Sequence, residues 1–200
     1  MQQPIEFYFD FSSPYGYLMA QGVEDLAARH GRDVEWKPFL LGVVFKITGQ
    51  QPLLNMPVKG DYARRDLARS ARAISVPFVV PQAFPFRSQA ACRAFYWLHD
   101  RDKDQAKALA QAIYLAAFGH GRDVSEPETV IDIAAGLGVS REELGVALDD
   151  PNVKDRLRRE VDQAVAKGVF GSPFLLVDGE PFWGYDRLPD VERWLESGGW

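Results

Sequence analysis

Residues 7–17 read Phe7-Tyr8-Phe9-Asp10-Phe11-Ser12-Ser13-Pro14-Tyr15-Gly16-Tyr17, an apolar stretch that turns directly into a Ser-Pro helix start. Residues 4–10 alternate and are rich in Phe and Tyr, the pattern of a short buried strand. Ser13 can then cap a helix whose first position is Pro14, where proline's missing N–H costs nothing. Orphan N–H groups and the positive end of the helix dipole converge at such a cap, a setting that favours an anion such as a thiolate.

Downstream, Tyr17, Leu18, Val23, Leu26 and Ala27 supply one helical face running to Gly31, and Asp33–Leu40 reads as a second strand closed by Pro38. Strand, helix, strand within 40 residues predicts a parallel, right-handed βαβ unit. Far along the chain, Gly171-Ser172-Pro173 leads into Phe174-Leu175-Leu176-Val177, a strand that begins at a proline. Asp178-Gly179-Glu180 then predicts a tight turn to Pro181–Trp183, and Leu188–Glu196 a closing helix. A thioredoxin fold sets a reactive helix N-terminus beside a cis-proline loop. Trans is the usual form of an X–Pro bond, but the combination of these two signals predicts a cis Ser172–Pro173 bond. Ser13 stands where a disulfide enzyme would carry its first cysteine.

Between these halves the pattern changes. Asp61–Ile74, Ser88–Asp100, Lys103–Phe118, Glu126–Leu137 and Arg141–Ala147 each place apolar residues at three- and four-residue spacing, and helical character returns at Asn152–Lys167, which Gly168 ends. Val76–Pro85, a loop studded with proline and aromatic residues, reads as a packed wall. The expected fold is α/β, a thioredoxin-like domain formed by residues 1–40 and 151–200. A connecting segment and all-helical insertion fill 41–150.

Composition narrows the function classes. The chain has 200 residues, 46% of them apolar, enough for a substantial core. With 23 basic against 28 acidic residues and no Lys/Arg block, nucleic acid is not an expected partner. No apolar run approaches the ~20 residues of a membrane span, and the N-terminal apolar stretch, broken by Glu6 and Asp10, lacks the features of a signal peptide. The expectation is a cytoplasmic protein with small-molecule partners. A lone cysteine, Cys92, excludes an internal disulfide and reads as a small core residue on a helix. His30, His99 and His120 lie too far apart for a metal motif, so no metal is expected.

Several motifs together carry a family resemblance: Phe7–Tyr15, Leu41-Gly42 with Phe45-Lys46 and Thr48-Gly49, Lys59-Gly60 with Tyr62, Gly168 with Phe170-Gly171 and Pro173, and Phe182-Trp183-Gly184 with Asp186-Arg187-Leu188. The chain resembles the 2-hydroxychromene-2-carboxylate isomerases and the kappa-class glutathione transferases, which share a thioredoxin-like fold with a helical insertion. By that resemblance glutathione is the cofactor, and Ser13 orients and stabilises its thiolate. Tyr15, Gln50, Lys59, Ser172, Pro173, Tyr185 and Asp186 fall at glutathione-contacting positions. Gln50 stands where kappa enzymes commonly carry asparagine, Ser12 replaces an aliphatic residue, and Gly16 a frequent serine.

The resemblance implies glutathione-dependent interconversion of 2-hydroxychromene-2-carboxylate and trans-o-hydroxybenzylidenepyruvate, in aromatic catabolism. Thiolate, not thiol, is the nucleophile: addition to the conjugated substrate makes a double bond rotatable, and departure restores glutathione. A flat, carboxylated substrate calls for apolar walls and one cation. Phe45, Phe84 and Trp183, together with Phe86, are candidate walls and Arg87 the candidate cation. A homodimer is expected, since related proteins are commonly dimers. Rival readings are a kappa-like transferase using the same thiolate, and a non-catalytic peptide-binding module. A disulfide oxidoreductase is the least favoured reading, since neither Ser13 nor Gly16 can form a disulfide.

Overall fold

Phe7 and Phe9 stack on one face of the first strand, β1 (Ile5–Phe9), with ring centroids 4.9 Å apart. Trp36 of β2 (Val34–Pro38) stands edge-on to both, at 5.1 and 5.3 Å. All three are buried, and each such ring contributes about 1.5–3 kcal/mol. This computed structural model describes residues 3–200.

β1 and β2 run parallel, Ile5 opposite Val34 and Phe9 opposite Pro38. β3 (Phe174–Val177) pairs antiparallel with β1, and β4 (Glu180–Trp183) antiparallel with β3. The mixed sheet therefore has the order β2-β1-β3-β4. The β3–β4 turn is the expected one: Asp178 and Gly179 both adopt positive φ, 53° and 91°, as a type I′ turn requires. Arg32 holds that turn by a forked pair of bonds to the Asp178 carboxylate at 2.8 and 3.0 Å.

The single helix expected from Ser13 to Gly31 is two, α1 (Pro14–Ala20) and α2 (Val23–Arg29). Gly22, about 1 kcal/mol worse than alanine inside a helix, instead starts α2. The Gln21 side chain donates to the Tyr17 carbonyl at 3.0 Å, occupying an acceptor near the break. After β2 comes α3 (Leu41–Thr48), followed by a 3-10 turn at Leu53–Asn55, a segment whose sequence predicts no element. Its N-cap Leu40 offers no side-chain acceptor; the Asp10 carboxylate accepts from the Leu41 N–H at 2.7 Å.

The chain continues with α4 (Lys59–Ala73), α5 (Gln89–His99), α6 (Lys103–Tyr114), α7 (Pro127–Ala135) and α8 (Arg141–Asp149), and α9 (Pro151–Ala166) then leads back to the sheet. The helix expected over 103–118 changes to a π turn at Leu115–Gly119. Phe9 meets Phe95 of α5 and Tyr114 of α6, so β1's aromatic face is also the seat of the insertion. The 76–85 loop is a wall as expected: Pro77 accepts from the Tyr17 hydroxyl at 2.9 Å, and Phe78 stacks on Phe118. Cys92 is buried, its thiol pushed up by burial. The chain closes with a 3-10 turn at Tyr185–Arg187 and α10 (Leu188–Ser197). Among the described residues no helix is long and apolar enough to cross a membrane.

Candidate active site at the Ser13 helix start

Ser13 adopts the extended conformation of an N-cap, φ −93° and ψ 111°, and its Oγ accepts from the Gly16 N–H at 3.1 Å. The same hydroxyl donates to the backbone carbonyl of Ser172 at 2.9 Å, 159 residues away. The Ser172–Pro173 bond is cis, as expected. Ser172 is partly exposed, and among the described residues its N–H has no hydrogen-bond partner. An extended peptide needs such a free main-chain donor beside a carbonyl. The residues present therefore fit a cysteinyl peptide such as glutathione.

Asp10, fully buried, organises this junction. Its Oδ1 accepts from the Ser12 N–H at 2.8 Å and the Ser12 hydroxyl at 2.9 Å, while Oδ2 takes the Leu41 N–H. Its backbone N–H donates to Ser172 Oγ at 3.0 Å, and its carbonyl accepts from the Ser13 N–H and the Tyr114 hydroxyl. Burial pushes its carboxyl above the usual range, against the pull of these donors and the Ser88 hydroxyl. Ser12 therefore spends its proton on Asp10.

α4 and the 3-10 turn at Tyr185–Arg187 both pack against α1. The Tyr15 hydroxyl donates to Asp66 of α4 at 2.8 Å, and burial, then Asp66, then Tyr62 and Asp186 hold the phenol protonated well past its ordinary range. Lys59 is exposed at the start of α4, three and seven residues before Tyr62 and Asp66 and hence on their face of the helix. Tyr185 is half-buried, its phenol raised by burial, and Asp186 is exposed with its carboxylate on Arg187 at 2.7 Å. Asp186 does not cap α10, whose N-cap is Arg187.

The other expected contacts divide. Trp183 is half-exposed and stands edge-on to Phe170 at 4.9 Å, over Gly171 and so beside the Ser172 loop. Phe45 is half-buried on α3, Gln50 is exposed just beyond it, and Phe84 is half-buried against the core. Arg87 is exposed and lines a groove of about 490 Å³ with Phe86, Gln89, Arg93, Ser125 and Pro127. That groove follows the 86, 89, 90, 93 side of α5, whereas Ser88 and Cys92 face Asp10 and Phe39. Arg87 adjoins Ser88, the N-cap of α5, whose side chain reaches the Asp10 carboxylate.

The family profile of the DSBA-like thioredoxin domain matches residues 4–196. The chain belongs to this family. Within it, the 2-hydroxychromene-2-carboxylate isomerase of Sphingobium xenophagum is 34% identical over 98% of this chain and 99% of its own. Kappa-class relatives are also close: glutathione S-transferase kappa 2 of Caenorhabditis elegans is 28% identical over 96% of this chain and 91% of its own. A solved 2-hydroxychromene-2-carboxylate isomerase structure superposes with a TM-score of 0.87 at 27% identity, covering 97% of this chain and 95% of that one. The sheet with its helical insertion is thus the DSBA-like thioredoxin fold, in a chain akin to both enzyme groups.

Two residues at the heart of the site escaped the sequence reading as functional. Asp10 was visible as a carboxylate interrupting an apolar run, a signal that a buried acid must find donors. Tyr114 carried no signal, being one apolar position of an amphipathic helix.

Proposed function

We propose that the protein is a glutathione-dependent isomerase that interconverts 2-hydroxychromene-2-carboxylate and trans-o-hydroxybenzylidenepyruvate in aromatic catabolism. The observation that carries the proposal is the Ser13 hydroxyl, poised at a helix N-terminus and shared with the Ser172 carbonyl at 2.9 Å. Glutathione, when bound, supplies a nucleophilic thiolate. Ser13 would donate its proton to that sulfur, stabilising the anion where the α1 dipole already favours negative charge. Each pKa unit of depression corresponds to about 1.4 kcal/mol. The Ser172 main chain would align the cysteinyl residue and Lys59 would face a carboxylate of the tripeptide. Asp186 would receive its amino group, with Tyr15, Pro173, Tyr185 and Gln50 at the margins.

Trp183, Phe45 and Phe84 are the proposed apolar walls for a flat ring. Arg87 is the proposed cation for the substrate carboxylate, and Arg87→Ala tests that contact. The proposed assembly is a homodimer, which light scattering reads directly. A kappa-class transferase activity is the second reading, favoured by the Caenorhabditis elegans relative.

Product analysis separates the two. An isomerase returns glutathione unchanged and needs it in catalytic amount, whereas a transferase consumes it in proportion to product. Isomerisation that proceeds undiminished without glutathione would sink the leading proposal.

A further inference from the structure

Position 16 is the third residue after Ser13, the place where a dithiol enzyme built on this fold would carry its second cysteine. It is glycine, and it lies in the helix with no special backbone conformation, so its smallness answers to space. A Cβ added there would overlap the Tyr114 hydroxyl oxygen and lie 3.2 Å from Ser13 Cβ and 3.3 Å from Ser172 Oγ. The first of those distances is close to the roughly 3.5–4.5 Å between the Cβ atoms of a disulfide. The volume a resolving thiol would need is filled by a phenol from the helical insertion.

Tyr114 cannot easily withdraw. It is fully buried, its ring packs against Phe9, Phe11, Tyr17 and Phe118, and its hydroxyl donates to the Asp10 carbonyl at 2.9 Å. That carbonyl also receives the Ser13 N–H at 2.8 Å, so the same phenol braces the turn that presents Ser13. A flexible side chain could swing aside for an extra methyl group; a ring caged by four aromatic neighbours displaces its surroundings.

We propose that Tyr114 is a specificity-determining residue: by occupying the space beside Gly16 it reserves the helix start for a thiol brought in by a cofactor and closes it to a second thiol of the chain itself. The inference rests on the reading of Ser13 as the residue that holds a borrowed thiol. It makes the choice between isomerase-type and dithiol chemistry depend on the helical insertion as well as on residue 13.

The test compares Ser13→Cys/Gly16→Cys with the same pair combined with Tyr114→Phe, each incubated with oxidised glutathione. Two protein thiols would form one internal S–S bond while the glutathione disulfide is reduced to two thiols, which take up the two protons. Free-thiol counting and intact mass should show the internal bond in the triple variant only, with Cys92 remaining as the one free thiol. Equal bond formation in both, or in neither, would overturn the proposal. As a thiol-independent check on the same contact, Gly16→Ala should lower Tm by several degrees beside Tyr114 and by clearly less in the Tyr114→Phe background. An equal loss in both backgrounds would also overturn it. These readouts do not use isomerase turnover, so an enzyme inactive on hydroxychromene carboxylates would defeat the proposed function and leave this result standing.

Discussion

The Ser13 hydroxyl donates to the Ser172 carbonyl at 2.9 Å, joining the start of α1 to the loop before β3 across 159 residues. That proton ties the two halves of the thioredoxin-like unit together, and in the proposed enzyme it would turn to the glutathione sulfur. Ser172 Oγ, which accepts from the Asp10 N–H at 3.0 Å, adds a second bond between the same two segments.

Ser13→Ala removes that proton. Loss of one preorganised donor to a developing or resident anion costs roughly 10²–10³ in rate, while the lost cap costs about 1 kcal/mol of stability. The thiolate absorbance of bound glutathione, followed against pH, should shift to higher pH in the variant. Superimposable titrations would refute the role of Ser13. Ser12→Ala is the control, since its hydroxyl donates to Asp10, and it should leave the titration in place.

Asp10→Asn puts an amide NH₂ where a carboxylate oxygen now accepts from Ser12 or from Leu41. A buried donor facing a donor costs about 1–3 kcal/mol, readable by urea unfolding. Because the Ser13 turn and the N-terminus of α3 both lean on this carboxylate, glutathione-dependent turnover should fall roughly tenfold or more. Wild-type stability together with wild-type rate would show that Asp10 organises nothing.

Asp186→Ala tests the amino-group contact. Its carboxylate is exposed and paired only with Arg187, so stability should change by no more than about 0.5 kcal/mol. A charge-assisted bond is worth about 1.5–3 kcal/mol, and KM for glutathione should rise about tenfold or more. A glutathione analogue lacking the α-amino group should bind wild type and variant alike; if it discriminates between them, Asp186 acts elsewhere.

Glu35 carries the clearest acid dependence. Its carboxyl is pulled down to about 2 by the hydrogen bond from His99 and then by Lys103, against the opposing effect of burial. A depressed folded-state value means the stabilisation is complete above the ordinary carboxylate range near 4.5 and lost as pH falls toward 2. Glu35→Gln should cost about 1 kcal/mol at pH 7, a figure kept low because Lys103 is exposed. The gap between variant and wild type should close progressively between about pH 4.5 and 2. A gap constant over that range would exclude the pair as its source.

Much of this architecture is legible in local pattern. The apolar β1, the Ser-Pro start, the Asp-Gly turn and the helical spacing of the insertion each express a preference of a few neighbouring residues. Such preferences survive into the folded state because burial reinforces them. α3 escaped because its first N–H is satisfied by Asp10, 31 residues earlier, and no local residue announces that cap. The break at Gly22 escaped because the apolar face continues across it, and the helical π turn after Tyr114 for the same reason.

By itself the sequence determined which residue stands at the Ser-Pro helix start, that no partner cysteine accompanies it, and which loop would lie opposite. Those are matters of residue identity and short-range spacing. Only the tertiary structure decided where the Ser13 proton goes, that Ser12 is spoken for by Asp10, and that Tyr114 fills the space beside Gly16. Each depends on atoms brought within a few ångströms from distant parts of the chain, and hydrogen bonds and excluded volume act only at that range.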